Sequence, residues 1–230
     1  MKPARLLHPQ GLVPYSTAYQ WMHELAEQRA AAEIPDTLIL LEHPPVYTAG
    51  RRSDHSHLLW TRERMESMGA ELHEVDRGGS VTFHGPGQLV GYPIVDLGTK
   101  PDVMAYLRKL EEVVIRAARD AGVELGRDPQ ATGVWSGDRK VCAIGVRVTR
   151  GRITLHGFAL NCNVDRTWFD AIVPCGLADR GVATLTELAG RDVTVDEMTG
   201  LVTHHFENVF GLRLESSVEA PSTTRYSRFS

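Results

Sequence analysis

Apolar positions recur at helical spacing near the start of the chain, where Tyr15, Ala18, Tyr19, Met22, Leu25 and Ala26 share one face of a segment rich in helix formers. The spacing predicts a first helix from Pro14 to Glu33. A different signal follows, the continuous apolar run from Thr37 to Glu42 that stops at His43-Pro44-Pro45. A short uninterrupted run ended by prolines reads as a strand buried on both faces. A second helix is predicted from Pro101 to Ala121, with Tyr106, Leu107, Leu110, Val114 and Ala117 inward and Gly122 as its stop. Strands are expected at Leu89 to Val95, Lys140 to Thr149 and Ile153 to Asn161. Only Arg150-Gly151-Arg152 separates the last two, which should therefore form an antiparallel hairpin. Thr194 and Glu197 stand at capping-box spacing ahead of a helix running to about Phe210.

Strands joined both by hairpins and by helices point to an α/β (α+β) domain, with a mixed sheet flanked by helices, rather than to a doubly wound fold. A chain of 230 residues is compatible with a single such domain. Residues 1–215 are expected to form it, and the polar stretch 216–230 to be a flexible tail. No apolar run approaches the length needed to span a bilayer, and the amino terminus lacks the apolar core and cleavage site of a secretory signal. The expected location is the cytoplasm, without membrane association. A net charge of −4 removes the basic footprint of a general nucleic-acid binder. Locally, Arg147, Arg150 and Arg152 form a basic cluster suited to an acidic protein partner. The three cysteines include no C-x-x-C pair, so a disulfide framework or zinc knuckle is not expected and each should be a free thiol.

The densest chemical signal runs from Arg77 to Tyr92, where five glycines fall within sixteen residues of otherwise strand-like sequence. Either a ligand approaches the backbone closely there, or the chain turns sharply twice. Neither phosphate-loop spacing is present. Cys175 follows Pro174 and precedes Gly176, which places its thiol on a turn, a setting that seldom needs cysteine for packing. Cys142 and Cys162 lie instead in apolar strand-like runs, where a thiol is a small buried hydrophobe. Lys140, at the entry to such a run, is either a solvated strand end or the cation that favours a nearby thiolate. Gly157 and Ala159 leave one face of their strand nearly bare, as the floor of a slot for an apolar chain would be. His156 beside them is by default structural, and His84, His156 and Cys175 match no zinc spacing.

Together these segments, from about Asp36 to Leu188, resemble the lipoyl(octanoyl) transferase family. Its pattern R-G-G-x-x-T-aromatic-H-x-x-G-Q-x-x-x-Y is met by Arg77 through Tyr92. Leu41-Glu42-His43-Pro44, Tyr47-Thr48-Ala49-Gly50-Arg51, Lys140 with AIGVR, HGFALN and Pro174-Cys175-Gly176 match further blocks in order. The resemblance implies the catalytic-domain fold shared with biotin and lipoate protein ligases. It makes Cys175 the acyl-thioester nucleophile and Lys140 the partner that lowers its pKa. Acyl binding falls to Arg77, Gly78, Gly79, Ser80, Val81, Thr82, Phe83 and His84, to Ala143, Ile144 and Gly145, and to Gly157, Phe158 and Ala159. The implied donor is octanoyl-acyl carrier protein. The implied acceptors are lipoyl domains of 2-oxoacid dehydrogenase complexes and the glycine cleavage H protein. No ATP, metal or other cofactor is implied, whereas an ATP-dependent lipoate or biotin ligase would not require Cys175. A non-catalytic module that holds carrier domains would need neither Cys175 nor Lys140.

Overall fold

The computed structural model of the chain describes residues 1–51, 53, 57–173 and 180–217. The first predicted helix, α1, spans Tyr15–Ala30, entered through an extended Pro14. Its buried face holds Ala18, Met22, Leu25 and Ala26 as expected, but Trp21 is inward and Tyr19 only half-buried. The apolar run after it is a strand, Thr37–Leu41, in which every residue is buried. Its two faces serve different cores. Leu38 and Leu40 join one cluster, with Tyr106, Leu110, Val114, Val202 and Phe206, and Ile39 and Leu41 join the other, with Met22, Leu25 and Tyr92. Because both faces meet apolar layers, the strand reads as an unbroken hydrophobic run.

An N-terminal strand precedes α1, so the strands in chain order are β1 (Lys2–Leu7) and β2 (Thr37–Leu41), then β3 (Val46–Ala49), β4 (Glu71–Glu74), β5 (Val81–His84) and β6 (Gln88–Ile94). They continue with β7 (Val134–Ser136), β8 (Arg139–Thr149), β9 (Ile153–Asn161) and β10 (Leu212–Ser216). Among the described residues seven strands form the main sheet, in the order β10-β1-β2-β6-β9-β8-β7. Parallel β10-β1-β2 contacts on one side and antiparallel contacts on the other make it mixed, as expected. A smaller sheet, β4-β3-β5, carries a third cluster around Tyr47, Phe83 and Phe169.

Helix α2 (Arg62–Ser67) leads into the small sheet; α3 (Val103–Asp120) and α5 (Val195–Phe210) pack together on the main one, and α4 (Leu185–Ala189) lies between β9 and α5. Helix α3 starts later than Pro101 because the carboxylate of Asp102 accepts the Ala105 N–H at 2.9 Å. The capping box is half made, with the Thr194 hydroxyl accepting the Glu197 N–H at 3.2 Å while the Glu197 carboxylate binds Arg191. β8 and β9 form the expected hairpin, paired from Cys142↔Leu160 to Thr149↔Ile153. The basic cluster is already neutralised within the chain: Arg147 pairs with Asp76, Arg150 with Glu27 and Arg152 with Asp96. It is therefore not an open acidic-partner surface.

Candidate active site

Where β5 and the loop before it approach β8 and β9, a cavity of about 500 Å³ opens. Two glycines allow close backbone approaches here, Gly145 that of the loop and Gly157 that of β6. A Cβ on Gly145 would stand 2.9 Å from the Gly78 carbonyl oxygen, and one on Gly157 would stand 2.1 Å from the Gly91 oxygen. Gly157 lines the cavity, yet its missing side chain makes room for the backbone of β6 rather than for a slot. Just before it, His156 holds a φ of 58° inside a strand, a conformation costing on the order of 1–3 kcal/mol that persists only under surrounding constraint. The constraint is visible: its Nε2–H donates to the Asp76 carboxylate at 2.8 Å.

Asp76 also pairs with Arg147 of β8, so its charge is shared and the glycine-rich loop that follows is pinned to the hairpin. The next residue, Arg77, is buried and bends that loop. Its guanidinium donates to the carbonyls of Gly78 (3.0 Å) and Ser80 (2.9 Å) and, across to β3, to the Thr48 carbonyl (2.7 Å) and hydroxyl (2.9 Å). Gly78 N–H donates to Val146 of β8 at 3.2 Å. The tight turns bring the backbone of the glycine-rich stretch to the cavity wall.

A line of buried amides begins at His84. Gln88 Nε2 donates to Asn161 Oδ1 at 2.9 Å, and Asn161 Nδ2 donates to the Ala183 carbonyl at 3.2 Å. With its amide N–H directed that way, Gln88 offers only its oxygen to His84 Nδ1, at 2.8 Å. The proton therefore sits on Nδ1 and leaves Nε2 as an acceptor on a ring that lines the cavity. Burial, with the neighbouring His43, holds His84 down to about 3, and burial, with the Arg77 charge, does the same to His156. His43 donates through Nδ1 to the Val13 carbonyl (2.6 Å) and accepts the Tyr92 hydroxyl at Nε2 (2.8 Å). Tyr15 stacks on His84 with ring centroids 6.4 Å apart, and burial raises its hydroxyl pKa well above the ordinary value.

Lys140 lines the same cavity and is only 6% exposed, so it is not a solvated strand end. Its ammonium lies 4.6 Å from the centre of the Trp135 ring. Its backbone receives the returning chain: Lys140 N–H donates to Gly181 at 2.9 Å, and Ala183 N–H donates to Lys140 at 3.0 Å. Cys142 and Cys162 are fully buried free thiols; burial raises both pKa values, that of Cys162 to about 12. Cys175 lies outside the described residues. On either side of it the chain is anchored, by Ile172 pairing with Leu58 and Val173 N–H donating to His57 at 2.9 Å, and by Arg180 bonding to Asp128 at 2.5 Å.

The cavity thus gathers Arg77, Gly78, Gly79, Ser80, Val81, Thr82, His84, Lys140, Ala143, Ile144, Gly145, Gly157, Phe158 and Ala159 from three distant stretches. Phe83 is not among them. Strand alternation turns it to the other side of β5, where it stacks on Trp168 at 5.2 Å and meets Phe169 edge-on. Residues not expected there complete the wall: Tyr15, Tyr92, Val103, Leu107, Gln130, Ala131, Thr132, Val146 and His156. Tyr15 carried the same periodicity as the core face of α1, so nothing in its spacing marked it. Among the described residues no group of three His, Cys, Asp or Glu side chains is placed to hold a metal ion.

Comparison with known proteins gives this geometry its context. The lipoyl protein ligase A/B catalytic domain family matches residues 14–207. An octanoyltransferase of Rubrobacter xylanophilus is 50% identical over 202 residues, 87% of this chain and 91% of that protein. One from Gloeobacter violaceus is 47% identical over 212 residues, covering 91% and 92% respectively. The chain belongs to the octanoyltransferase family. Membership makes it an acyltransferase, within the wider group named for lipoyl protein ligase catalytic domains. The fold agrees: a bipartite lipoate protein ligase of Thermoplasma acidophilum superposes with a TM-score of 0.75 at 19% identity, over 96% of this chain and 89% of that one. The motif from Arg77 to Tyr92 supplies one wall of the cavity and the β8–β9 hairpin another.

Proposed function

We propose that this acyltransferase moves an octanoyl group from acyl carrier protein to a specific lysine of lipoyl domains, in lipoate biosynthesis, through a thioester on Cys175. The observation that carries the reading is the convergence of three separated motif blocks, together with a buried Lys140, on one cavity. Its volume lies within the roughly 300–1,000 Å³ of small-ligand sites. Apolar groups of Ile144, Phe158 and Ala159 suit an alkyl chain, while the polar groups of the Arg77 loop, His84 and Lys140 suit its reacting end.

In the first half-reaction the Cys175 thiolate attacks the thioester carbonyl, the bond to the carrier sulfur breaks, and the departing thiolate takes a proton. The Lys140 ammonium favours the attacking thiolate and supplies that proton. In the second, the acceptor amine attacks the acyl-enzyme carbonyl, an amide forms, and Cys175 leaves as thiolate while Lys140 takes the amine's proton. One thioester replaces another, so the donor already carries the activation and ATP has no role. The acyl binders are Arg77 through Thr82, His84, Ala143 through Gly145 and Gly157 through Ala159. The cytoplasm, where carrier and acceptor proteins would both be met, is the proposed location.

Incubation with octanoyl carrier alone should add the mass of one octanoyl group, labile to hydroxylamine and mapping to Cys175. Varying both substrates should give the parallel lines of a ping-pong mechanism. Intersecting lines without an adduct would replace the thioester with direct transfer in a ternary complex, and acylation that needs octanoate and ATP would replace this reading with a ligase.

A further inference from the structure

Trp135 sits on β7 directly opposite Lys140 in the strand register. It is 3% exposed, and its Nε1–H is satisfied by the Ala131 carbonyl at 3.2 Å. A core role would be complete with that. Two cations nevertheless lie over the ring: Lys140 Nζ at 4.6 Å from its centre, and the Arg180 guanidinium carbon at 5.1 Å. Arg180 in turn donates to Asp128 at 2.5 Å. Asp128 also accepts the N–H groups of Gln130 (2.8 Å) and Ala131 (2.9 Å), which closes the loop back to the indole.

Two features of this arrangement bear on chemistry. An aromatic face stabilises a buried ammonium and leaves its charge in place, where a thiolate can feel it. Arg180 is also the first described residue after Cys175, and its neighbour Gly181 accepts the Lys140 N–H at 2.9 Å. The indole is thus shared by the lysine and by the chain that returns from the cysteine.

We propose that Trp135 is a positioning residue of the transfer reaction: its indole seats the Lys140 ammonium at the cavity wall and, through Arg180, ties it to the segment that follows Cys175. The inference rests on the roles assigned above to Lys140 and Cys175. Trp135 touches no substrate and acts through the lysine.

The test uses the full chain carrying Trp135→Leu, Trp135→Phe, Arg180→Gln or Lys140→Ala. For each, the pH dependence of iodoacetamide alkylation at Cys175 is measured beside kcat and KM with octanoyl carrier. Trp135→Leu should move the alkylation midpoint upward and slow acylation at pH 7 by roughly tenfold, the scale of a desolvated cation–aromatic contact, with KM nearly unchanged. Trp135→Phe keeps an aromatic face and should recover most of the rate; Arg180→Gln should give a smaller loss in the same direction. If Trp135→Leu and Trp135→Phe lose activity equally on an unshifted alkylation profile, Trp135 is packing alone and the proposal is overturned. An unshifted profile in Lys140→Ala would bring down the Lys140 assignment itself, and this proposal with it. A shift in Lys140→Ala without one in Trp135→Leu would refute the role of Trp135 only. Should Trp135→Leu fail to fold, Trp135→Phe and Arg180→Gln decide: wild-type profiles and rates in both would overturn the proposal.

Discussion

Burial sets two of the three thiols apart. Cys142 and Cys162 are fully enclosed and burial raises their pKa values, so neither forms a thiolate readily in the native protein. Iodoacetamide should therefore label the native chain once, at Cys175, and the unfolded chain three times, as read by intact mass. Cys142→Ser and Cys162→Ser should keep transfer activity at a stability cost of about 1–3 kcal/mol, while Cys175→Ser should lose nearly all of it. Full activity in Cys175→Ser would end the thioester mechanism. Glycines divide as sharply. A methyl group at Gly157 would meet the Gly91 oxygen at 2.1 Å and Pro93 Cδ at 2.6 Å, in a sheet that cannot shift without breaking its ladder. Gly157→Ala should cost about 1–3 kcal/mol or more, seen as a lower denaturant midpoint. Gly200, exposed within α5 with open space around its Cα, should respond oppositely, with Gly200→Ala gaining up to about 1 kcal/mol.

At the scale of elements, α5 shows how local chemistry and packing divide the work. Its first turn is capped by the Thr194 hydroxyl on Glu197 N–H, and its body is held by Met198, Val202 and Phe206 in the main core. Removal of the cap should cost about 1 kcal/mol without changing the fold, so Thr194→Ala should lower the urea midpoint and leave the slope unaltered, while Thr194→Ser should restore it. A changed slope would mean that α5 frays as a unit. β1 and β10 depend on each other instead. Both are partly exposed and short, and their parallel pairing from Lys2↔Leu212 to Leu6↔Ser216 places the two at one edge of the main sheet.

For the whole molecule, the buried histidines set the response to acid. Burial holds His84 and His156 down to about 3 and His43 to about 4, against an ordinary value of about 6.5 in the unfolded chain. The unfolded state therefore binds more protons below that value. The stability these groups confer is present in full above about pH 6.5 and is lost progressively as pH falls toward 3–4. Each group adds a slope of up to about 1.4 kcal/mol per pH unit in that window. Denaturation series at pH 7.5, 6 and 5 should show stability falling with the pH, accompanied by proton uptake on unfolding. Equal stability at 7.5 and 5 would mean that these rings are protonated in the folded protein.

What the sequence determined by itself is whatever rests on neighbours along the chain. The faces of α1 and α3, the doubly buried β2, the β8–β9 hairpin and the cap of α5 follow from period, turn residues and hydroxyl placement, and the motif blocks carried the family. What it left open depends on partners far away in the chain. β1 and β10 carry little signal because β10 rests on its pairing with β1, and β1 on its pairing with β10 and β2, while the strands of the small sheet take their order from pairing across 25 to 38 residues. Arg147, Arg150 and Arg152 look like one basic patch along the chain, and only folding brings Asp76, Glu27 and Asp96 to neutralise them. Phe83 shares a motif with cavity residues, but alternation along β5 sends it to the opposite face. Tyr15 and Trp135 reach the site or its lysine from elements whose patterns announce only core. A side chain's reach into a cavity is fixed by which faces meet across the fold, and no local pattern encodes that meeting.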